Sequence, residues 1–480
     1  MSGTDPSAFS QEDIIDRNAR PITQPVILTG HIVPDQAQRY LTLPFTVPDG
    51  VEQIHLTYDY SDRTAADPDL DNGNTLDIGL FDERGTGAGG PGFRGWSGSD
   101  KRAFTIGRAW STPPYRSGPI GAGLWSVLLG PYKVAMAGLD YRIEITFDPG
   151  LADHAVPPTA PGWDRPEIAP PAEPGWVRAD LHSHTVFSDG DSWPVETMAA
   201  AWTAGLDVIG ITDHNSAISA ADAAGNLTGG PLLIPGVETT TYGGHWNAWA
   251  APGTPGHRWY DFREPTGPAT EAAMAAAVAD GAFVSINHPR PLSPAWLYPE
   301  VTSFHAVEVW NGDWDKLNPI ALAYWEALLR RGVHVVAIGG SDTHRLRTPH
   351  RPRFGIPDAR FGTPTTFIRT GAGPPTVASV LAALRRGDCF ISESPIGPEL
   401  YVSRVVGETD APVRVRVVGA ADETLSVIGP AGAVFAAALP TTDWSTDVPF
   451  LTGTSWLRAQ VTDRVGRVRA LSNAIWRSPQ

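Results

Sequence analysis

Short apolar runs separated by Gly, Pro, Asp and Asn fill residues 26–150, and several of them alternate apolar with polar positions. A period of two is typical of antiparallel strands that are buried on one face. The pattern predicts strands at Ile27–Leu28, His31–Val33, Tyr40–Val47, Gln53–Asp59, Leu76–Leu80, Ser126–Leu129 and Tyr141–Phe147. We therefore predict a β-sandwich or jelly-roll domain at 26–150, preceded by an N-terminal arm at 1–25.

The pattern changes after a proline-dense segment at residues 151–175, which has no hydrophobic periodicity and is predicted to be a semi-rigid linker. From 176 to 395, apolar runs alternate with alanine-rich helical patterns, which is typical of β/α units. Strands are expected at Val177–Leu181, Leu206–Thr212, Leu232–Val237, Ala282–Asn287, Ala306–Trp310 and Val333–Ile338, and helices from Pro194, at Ala269–Asp280 and at Pro319–Arg331. The fold class is thus α/β, with a distorted, closed or nearly closed β/α barrel at 176–395.

Strand patterns return in the last part of the chain, at residues 396–480. They are expected at Leu400–Val406, Val413–Val418, Leu425–Ile428, Trp456–Thr462 and Ala470–Trp476. A small C-terminal β-sandwich appendage is the predicted structure.

Charge and composition narrow the partners and the location. With 52 acidic against 36 basic residues the formal net charge is -16, which repels phosphate backbones, so nucleic acid is not an expected partner. No stretch approaches the ~20 apolar residues that span a bilayer, and the N-terminus lacks the features of a secretory signal. The single cysteine, Cys389, agrees with a reducing compartment and is expected to be a buried small side chain. We expect a cytoplasmic protein, and the sequence leaves its oligomeric state open.

Histidine and acidic residues follow the predicted strands of the middle region at their C-terminal ends. They are Asp180, His182 and His184 after one strand, then Asp213 and His214, Glu238, His288, and Asp342 and His344 after four others. In a β/α barrel these strand ends converge on one face, so residues more than 150 positions apart can meet. Imidazole and carboxylate groups are ligands for Zn, Mn or Fe, and the sequence therefore predicts a metal site.

The ordered set of His182-x-His184, Asp189, Thr212-Asp213-His214, Glu238, His245, His288 and Asp342-x-His344 resembles the motifs of the PHP family, named for polymerase and histidinol phosphatase domains. The resemblance extends from about Asp180 to Pro395, which is under half of the chain. Within that family, Gly236 to Thr240 followed by Gly244-His245 resembles the carbaryl hydrolase branch, often labelled CehA/McbA. The flanking β regions are similar to that branch as well.

The resemblance implies a distorted barrel that holds two or three divalent ions, Zn, Mn or Fe. It assigns the first ion to His182, His184, Glu238 and Asp342, the second to Glu238, His245 and His288, and the third to Asp189, His214 and His344. Glu238 would bridge two ions, and Asp213 would orient a ligand imidazole. The gap from Glu238 to His245 is short, and the spacing of this ligand varies in the family.

The expected reaction is hydrolysis of a small-molecule ester. The chain has no Gly-x-Ser-x-Gly elbow and no phosphate-binding Gly-x-x-x-x-Gly-Lys loop, which leaves the chemistry to the metals. Two cations lower the pKa of a bridging water, so that hydroxide attacks a phosphoester near neutral pH. The PHP resemblance implies a phosphoester, whereas the branch resemblance implies a carboxylic ester or carbamate. A binding protein with an inactive barrel is a third hypothesis.

Arginine and tryptophan residues near these motifs are candidates for substrate contacts. Arg290 follows His288-Pro289, and Arg345, Arg347, Arg351 and Arg353 crowd the segment after His344, where they would clamp an anion or pair with surface acids. Trp246, Trp249, Trp310 and Trp314 would form walls for an aryl group or belong to the core.

Other polar residues of the region have no expected role in the site. Glu308 and Asp315 are expected in a solvated loop, and His257, His305 and His334 are expected to be structural or at the surface.

Overall fold

The computed structural model describes residues 24–64, 73–150, 162–217, 229–291, 295–315, 317–347, 360–405 and 411–477. These ranges form a mixed α/β, strand-rich structure with 25 strands and four α-helices. Residues 1–23 of the predicted arm and 151–161 of the predicted linker lie outside the described ranges. None of the described helices is long and apolar enough to cross a membrane.

Eight antiparallel strands at the N-terminal end form two four-stranded sheets, in the orders β1-β8-β3-β6 and β2-β7-β4-β5. Their bounds are β1 Val26–Ile32, β2 Leu41–Val47, β3 Gln53–Tyr60, β4 Thr75–Phe81, β5 Phe93–Gly98, β6 Ala103–Gly107, β7 Gly123–Lys133 and β8 Leu139–Asp148. Apolar side chains from both sheets share one core, which includes Leu56, Ile78, Trp125 and Ile145. The two short strands expected at 27–28 and 31–33 are one strand, and β5 and β6 were not predicted because both are short and β5 is rich in Gly and Ser.

The middle region alternates strands with helices, as its hydrophobic pattern predicts. Its strands are β9 Trp176–Asp180, β10 Val208–Ile211, β11 Leu232–Thr241, β12 Gly244–Trp249, β13 Phe283–Ile286, β14 Ala306–Asn311, β15 Val336–Gly340, β16 Thr365–Arg369 and β17 Cys389–Ser392. Its helices are α1 Pro194–Thr203, α2 Gly267–Ala279, α3 Asn318–Arg330 and α4 Val377–Arg386. The first three helices confirm the predicted ones to within two residues, and α4 was not predicted although Thr376 caps it and Gly387 ends it at a positive φ.

The strand ladder of the middle region is open, which differs from the closed or nearly closed barrel expected from the sequence. The order is β15-β14-β13-β12-β11-β10-β9-β16-β17, and β16 occupies the side of β9 where β15 would have to pair to close a cylinder. β9 and β15 meet only beyond their ends. There Asp342 N donates to His182 O at 2.8 Å, and His184 N donates to Thr343 O at 3.0 Å. Strand pairing is parallel in β9-β10-β11 and in β13-β14-β15, but β12 runs antiparallel between them.

Part of the C-terminal region extends the same ladder. The strands of this region are β18 Glu399–Arg404, β19 Val413–Val418, β20 Thr424–Gly429, β21 Gly432–Ala438, β22 Asp443–Val448, β23 Trp456–Thr462, β24 Val468–Ser472 and β25 Ile475–Trp476. β24 pairs with β17 and so joins the ladder. A separate three-stranded sheet consists of β18, β19 and β22, and its apolar side chains share a core with those of the ladder. Asn473 bonds the backbone of Ala337 and Cys389, and burial raises the pKa of the Cys389 thiol, which confirms its interpretation as an inert buried side chain.

An acidic residue is buried where the N-terminal sheets meet the middle region. Asp77 of β4 is 9% exposed and accepts a hydrogen bond from Tyr242 Oη at 2.8 Å. Burial raises the pKa of Asp77 from its ordinary 3.8 to about 7. Asp77 therefore ionises at a higher pH in the folded than in the unfolded chain, which makes the stability pH-dependent.

We predict that Asp77→Asn raises the melting temperature of the metal-free protein at pH 7 to 8 but not at pH 4. Between about pH 4 and 7 the unfolded carboxyl is ionised while the folded one keeps its proton, so stability is lost as pH rises, by roughly 1.4 kcal/mol per pH unit. Thermal melts in chelator at several pH values measure the difference, with the exposed Asp35→Asn as control. A melting difference that does not change with pH would contradict the prediction.

Candidate metal centre

The nine predicted ligands lie in one cluster, delivered mainly by strand ends as the sequence predicted. His182 and His184 follow β9, His214 follows β10, His288 follows β13, and Asp342 and His344 follow β15. Asp189 comes from the loop after β9. Glu238 and His245 instead lie within β11 and β12, which form a hairpin with only Tyr242 and Gly243 between the strands. The hairpin explains the short gap between these two residues, because it places Thr240 directly opposite His245.

Glu238 is at the centre of the cluster and is completely buried. Five imidazoles face its carboxylate within 3.5 Å. The distances are 3.4 Å to His182 Nε2, 3.2 Å to His245 Nδ1 and 3.5 Å to His288 Nε2 from Oε1, and 3.4 Å to His184 Nε2 and 2.8 Å to His214 Nδ1 from Oε2. Asn287 Nδ2 also donates to Oε1 at 2.7 Å and fixes the carboxylate plane.

His182, His184 and Asp342 form the tightest group of donor atoms. The two Nε2 atoms are 3.1 Å apart, and Asp342 Oδ1 lies 3.3 Å from the first and 3.0 Å from the second. A tetrahedral ion with bonds of 2.0–2.1 Å spaces its donors by about 3.3 Å. The separation of these atoms therefore suits ligands of a single ion.

Two further groups surround this one. His184, Asp189, His214 and His344 have donor atoms within 4.8 Å of one another, and so do His214, Glu238 and His245. The family resemblance assigned His184 and His214 to one ion each, whereas each belongs to two groups in the structure.

The donor set fits divalent cations, because it leaves buried lone pairs that the described residues do not satisfy. Glu238 Oε2 and Asp189 Oδ1 are buried and have no hydrogen bond of acceptable geometry, although imidazole nitrogens lie near both. Buried acceptors without donors are unfavourable by ~1–3 kcal/mol or more. A cation between the imidazoles and the carboxylates would satisfy them.

The electrostatics of the cluster separate its members. Burial raises the pKa of Glu238, but the imidazoles of His182, His245 and His214 outweigh it and hold that pKa well below its ordinary value. Burial, together with the imidazoles of His344 and His214, lowers the pKa of His184 to about 3. Burial lowers the pKa of His344 as well, but Asp189 overrides it and raises that pKa to about 10. The histidines of the cluster thus differ in the direction in which their pKa is shifted, downward for His184 and upward for His344.

Two of the proposed ligands have strained backbones. His288 has φ 29° and Asp342 has φ 57°, in the left-handed region that non-glycine residues rarely adopt. Such residues are unfavourable by ~1–3 kcal/mol each and persist where their surroundings fix them. Here His288 N donates to Glu308 Oε2 at 3.2 Å, and Asp342 N donates to His182 O.

Glu308 is the residue that the sequence interpretation missed. It was expected in a solvated loop, but it lies within β14 and is 2% exposed. Its Oε1 is 3.0 Å from His182 Nδ1, and its Oε2 accepts from His288 N and from Asn311 Nδ2. The signal was a lone acidic residue inside the apolar run Ala306–Asn311, because Glu is almost never fully buried without a partner. Asp315, in contrast, is exposed and pairs with Arg467, as expected.

Asp213 braces the loop that follows the first motif. Its carboxylate accepts from Thr185 N at 2.7 Å, from Thr185 Oγ1 at 2.8 Å and from Ser188 Oγ at 2.7 Å. Ser188 Oγ in turn lies 3.4 Å from His184 Nδ1. Ser188 thus links the Asp213 carboxylate to the imidazole of His184, and the orientation of a ligand imidazole by Asp213 stays a prediction.

The arginine candidates separate into two groups. Arg290 donates to Asn311 Oδ1 at 3.1 Å, and Asn311 Nδ2 reaches Asp342 Oδ2 at 3.3 Å, so Arg290 borders the cluster. Arg345 follows the predicted ligand His344, and its buried Nε has no hydrogen-bond partner among the described residues. Arg347 pairs with Glu196 at the start of α1, which is the pairing with a surface acid that the sequence left open as the alternative. Arg351 and Arg353 lie outside the described residues.

The tryptophans near the motifs are mainly core residues. Trp246 and Trp249 are at most 1% exposed, and Trp249 Nε1 donates to Leu181 O at 3.1 Å. Trp310 is also buried, and Trp314 packs edge-on against it. The alternative assignment of these tryptophans to the core is therefore correct.

The histidines expected to be structural have partners outside the cluster. His305 Nδ1 accepts from Val284 N at 3.1 Å, and His334 stacks on Trp476 with ring centroids 3.9 Å apart. Burial lowers the pKa of His257, whose Nε2 has no hydrogen-bond partner among the described residues.

No family model and no curated protein matches this chain. Among solved structures, it is similar to a two-domain protein from Bacteroides vulgatus that contains a predicted PHP-like metal-dependent phosphoesterase, with 22% identity over 66% of this chain and 100% of that one, at a TM-score of 0.38. It is also similar to an amidohydrolase from Chromobacterium violaceum with bound sulfate and no metal, with 17% identity over 35% of this chain and 88% of that one, at a TM-score of 0.27. At these TM-scores neither likeness bears on function, which rests on the residues of this chain.

We predict that Glu308→Leu weakens metal binding by ~10–100-fold, because His182 loses the carboxylate that orients its ring. Glu308→Gln keeps an oxygen near Nδ1 and should lose less. Isothermal titration of the metal-free protein with Zn²⁺ measures the affinities. Glu326→Gln, which alters a carboxylate bound to Arg330 and Arg458, is the matched control. Equal affinities for all four proteins would show that Glu308 does not support the ligands.

Proposed function

We propose that this chain is a metal-dependent hydrolase of the PHP type that cleaves a phosphoester of a small molecule. The observation that carries the proposal is Glu238, a fully buried carboxylate faced by five imidazoles. A structural role for Glu238 would require one or two partners, not five. The converging strand ends support a barrel-like arrangement around the site, even though the ladder is open.

Two or three divalent ions, Zn, Mn or Fe, are the proposed cofactors. His182, His184, Asp342 and Glu238 would hold one ion, and Glu238 would share a second with His245 and His288, next to His214. Asp189 and His344 would complete a third site with His214. Bound cations of this kind lower the pKa of water and offset the charge that develops on the ester oxygens.

The residues of the chain would orient the substrate and the ligands. Asn287 and Glu308 hold Glu238 and His182 in position, and Asp213 braces the loop before Asp189. Arg290, beside Asn311 and Asp342, is placed to bind an anionic group next to the cluster. Arg345 is the second candidate for this role.

A phosphoester is preferred over a carboxylic ester or carbamate because of what borders the cluster. The hypothesis of a neutral aryl ester substrate relied on tryptophan side chains exposed at the site. Trp246, Trp249 and Trp310 are instead buried in the core. Arg290, in contrast, supplies positive charge. An inactive barrel is also disfavoured, because every predicted ligand is present and lies in the cluster.

We predict that Glu238→Gln and His288→Ala each reduce hydrolysis at least ~100-fold while the fold is kept, because each removes a ligand from the centre of the cluster. The assay uses aryl phosphate monoesters and diesters, with aryl acetates and carbamates for comparison, after reconstitution with Mn²⁺ or Zn²⁺. His305→Ala, which changes a histidine outside the cluster, is the control. Turnover near that of the unchanged protein in either variant would refute the assignment.

We predict that Arg290→Ala and Arg345→Ala mainly raise KM for phosphoesters, with a loss of ~2–3 kcal/mol in kcat/KM that is typical of a charged hydrogen bond. Hydrolysis of neutral aryl esters should hardly change, since a guanidinium discriminates by charge. Arg347→Ala is the matched control, because its guanidinium pairs with Glu196. Equal losses of kcat/KM on both substrate types, or no loss on either, would contradict the proposed role of these arginines in binding an anion.

A further inference from the structure

The hairpin β11–β12 carries two of the proposed ligands. It holds Glu238 on one strand and His245 on the other, and its register places Glu238 opposite Asn247. The turn residue Tyr242 is only three residues from His245, about 10 Å along an extended strand. A shift of the turn therefore moves both ligands.

The N-terminal sheets hold this turn through Tyr242. The ring of Tyr242 is stacked between those of Tyr40 and Tyr132, with centroid distances of 5.1 and 5.0 Å and interplanar angles of 3° and 29°. Its hydroxyl donates to the buried Asp77 Oδ2 at 2.8 Å. Three residues of one N-terminal sheet and its adjoining loop thus fix one side chain of the hairpin.

The turn of the hairpin packs too closely against its surroundings for the neighbouring glycines to be replaced by larger residues. A Cβ built on Gly130 of β7 would lie 2.2 Å from Tyr242 Oη, so the backbone of β7 itself forms the floor of the contact. On the other side of the turn, Thr241 Oγ1 lies 2.7 Å from Tyr298 Oη. A Cβ on Gly244 would lie 2.6 Å from Trp296, which closes that side as well.

A larger apolar contact keeps the N-terminal sheets in place beside the hairpin. Trp259 and Phe262, from the segment after β12, share a buried cluster with Phe81, Phe93 and Trp96 of β4 and β5. Aromatic residues provide most of this contact, which makes it large and rigid. The sheets therefore hold Tyr40, Tyr132 and Asp77 at a fixed position relative to the turn.

We propose that the N-terminal β region contributes to the metal site. Its contacts fix Tyr242, and this positions Glu238 and His245 for metal binding. Tyr242 and Asp77 are positioning residues that act through the hairpin, and Asp77 also interacts electrostatically with the proposed ligand His214. Functional constellations must be held within about 0.5 Å, and a hairpin anchored at its tip meets that demand. The inference rests on the proposed function, since it requires that the cluster binds metal.

The test is a titration of the metal-free full chain with Co²⁺, followed by visible absorption, which reports metal bound at each site without any assay of turnover. Tyr242→Phe removes the hydroxyl, and Asp77→Leu removes its acceptor at similar volume. Both should weaken one cobalt equivalent about tenfold, and Asp77→Asn, which keeps an acceptor oxygen, should restore the affinity. The matched control is Tyr115→Phe, which removes another buried N-terminal hydroxyl, 2.9 Å from Ser97 Oγ.

The double variant Tyr242→Phe/His245→Ala separates positioning from general destabilisation. If Tyr242 acts through the hairpin ligands, its removal has a smaller effect on cobalt binding once His245 is absent, because only Glu238 is then left for it to position. Cobalt affinities of Tyr242→Phe and Asp77→Leu equal to those of Tyr115→Phe would overturn this inference alone. Failure of the unchanged chain to bind cobalt would overturn the proposed function, and the inference with it.

Discussion

The structure depends on one buried negative charge. Glu238 has no exposed surface, and an isolated carboxylate in such a place would be strongly unfavourable. Imidazoles from three strand ends and from its own hairpin surround it, and their arrangement is intelligible only if positive charge is held among them. In the metal-free chain, protonated imidazoles supply that charge, which is why the pKa of Glu238 is held low. A bound cation would supply it more strongly.

Each level of the fold can be understood as a means of placing donors around this carboxylate. Parallel strands bring their carboxyl ends together, and the β11–β12 hairpin adds Glu238 and His245 from within strands. Behind the donors, Glu308 and Asn287 fix ring and carboxylate orientations through hydrogen bonds. Asp342 has a strained φ, so the contacts at the site stabilise a backbone conformation that this residue would otherwise rarely adopt.

Much of this arrangement could be predicted from the sequence, because it follows from local patterns. Short apolar runs, several of them with period-two alternation, predicted most of the strands, and the position of His and acidic residues after strands predicted that they meet. Long-range pairing could not be predicted: nothing local indicates that β16 takes the side of β9 that a barrel would need for closure, or that β17 joins β24. Glu308 was missed because an acidic residue was taken as a sign of solvent, although its apolar neighbours indicated burial.

The most direct test of the account is to locate metal by anomalous scattering from crystals of the protein grown with Zn²⁺ or Mn²⁺. The account predicts two or three strong peaks within the cluster, at least one of them within bonding distance of the Glu238 carboxylate and the His182 and His184 Nε2 atoms. An ordered cluster without any peak, or metal bound only elsewhere, would contradict the claim that these residues form a metal centre.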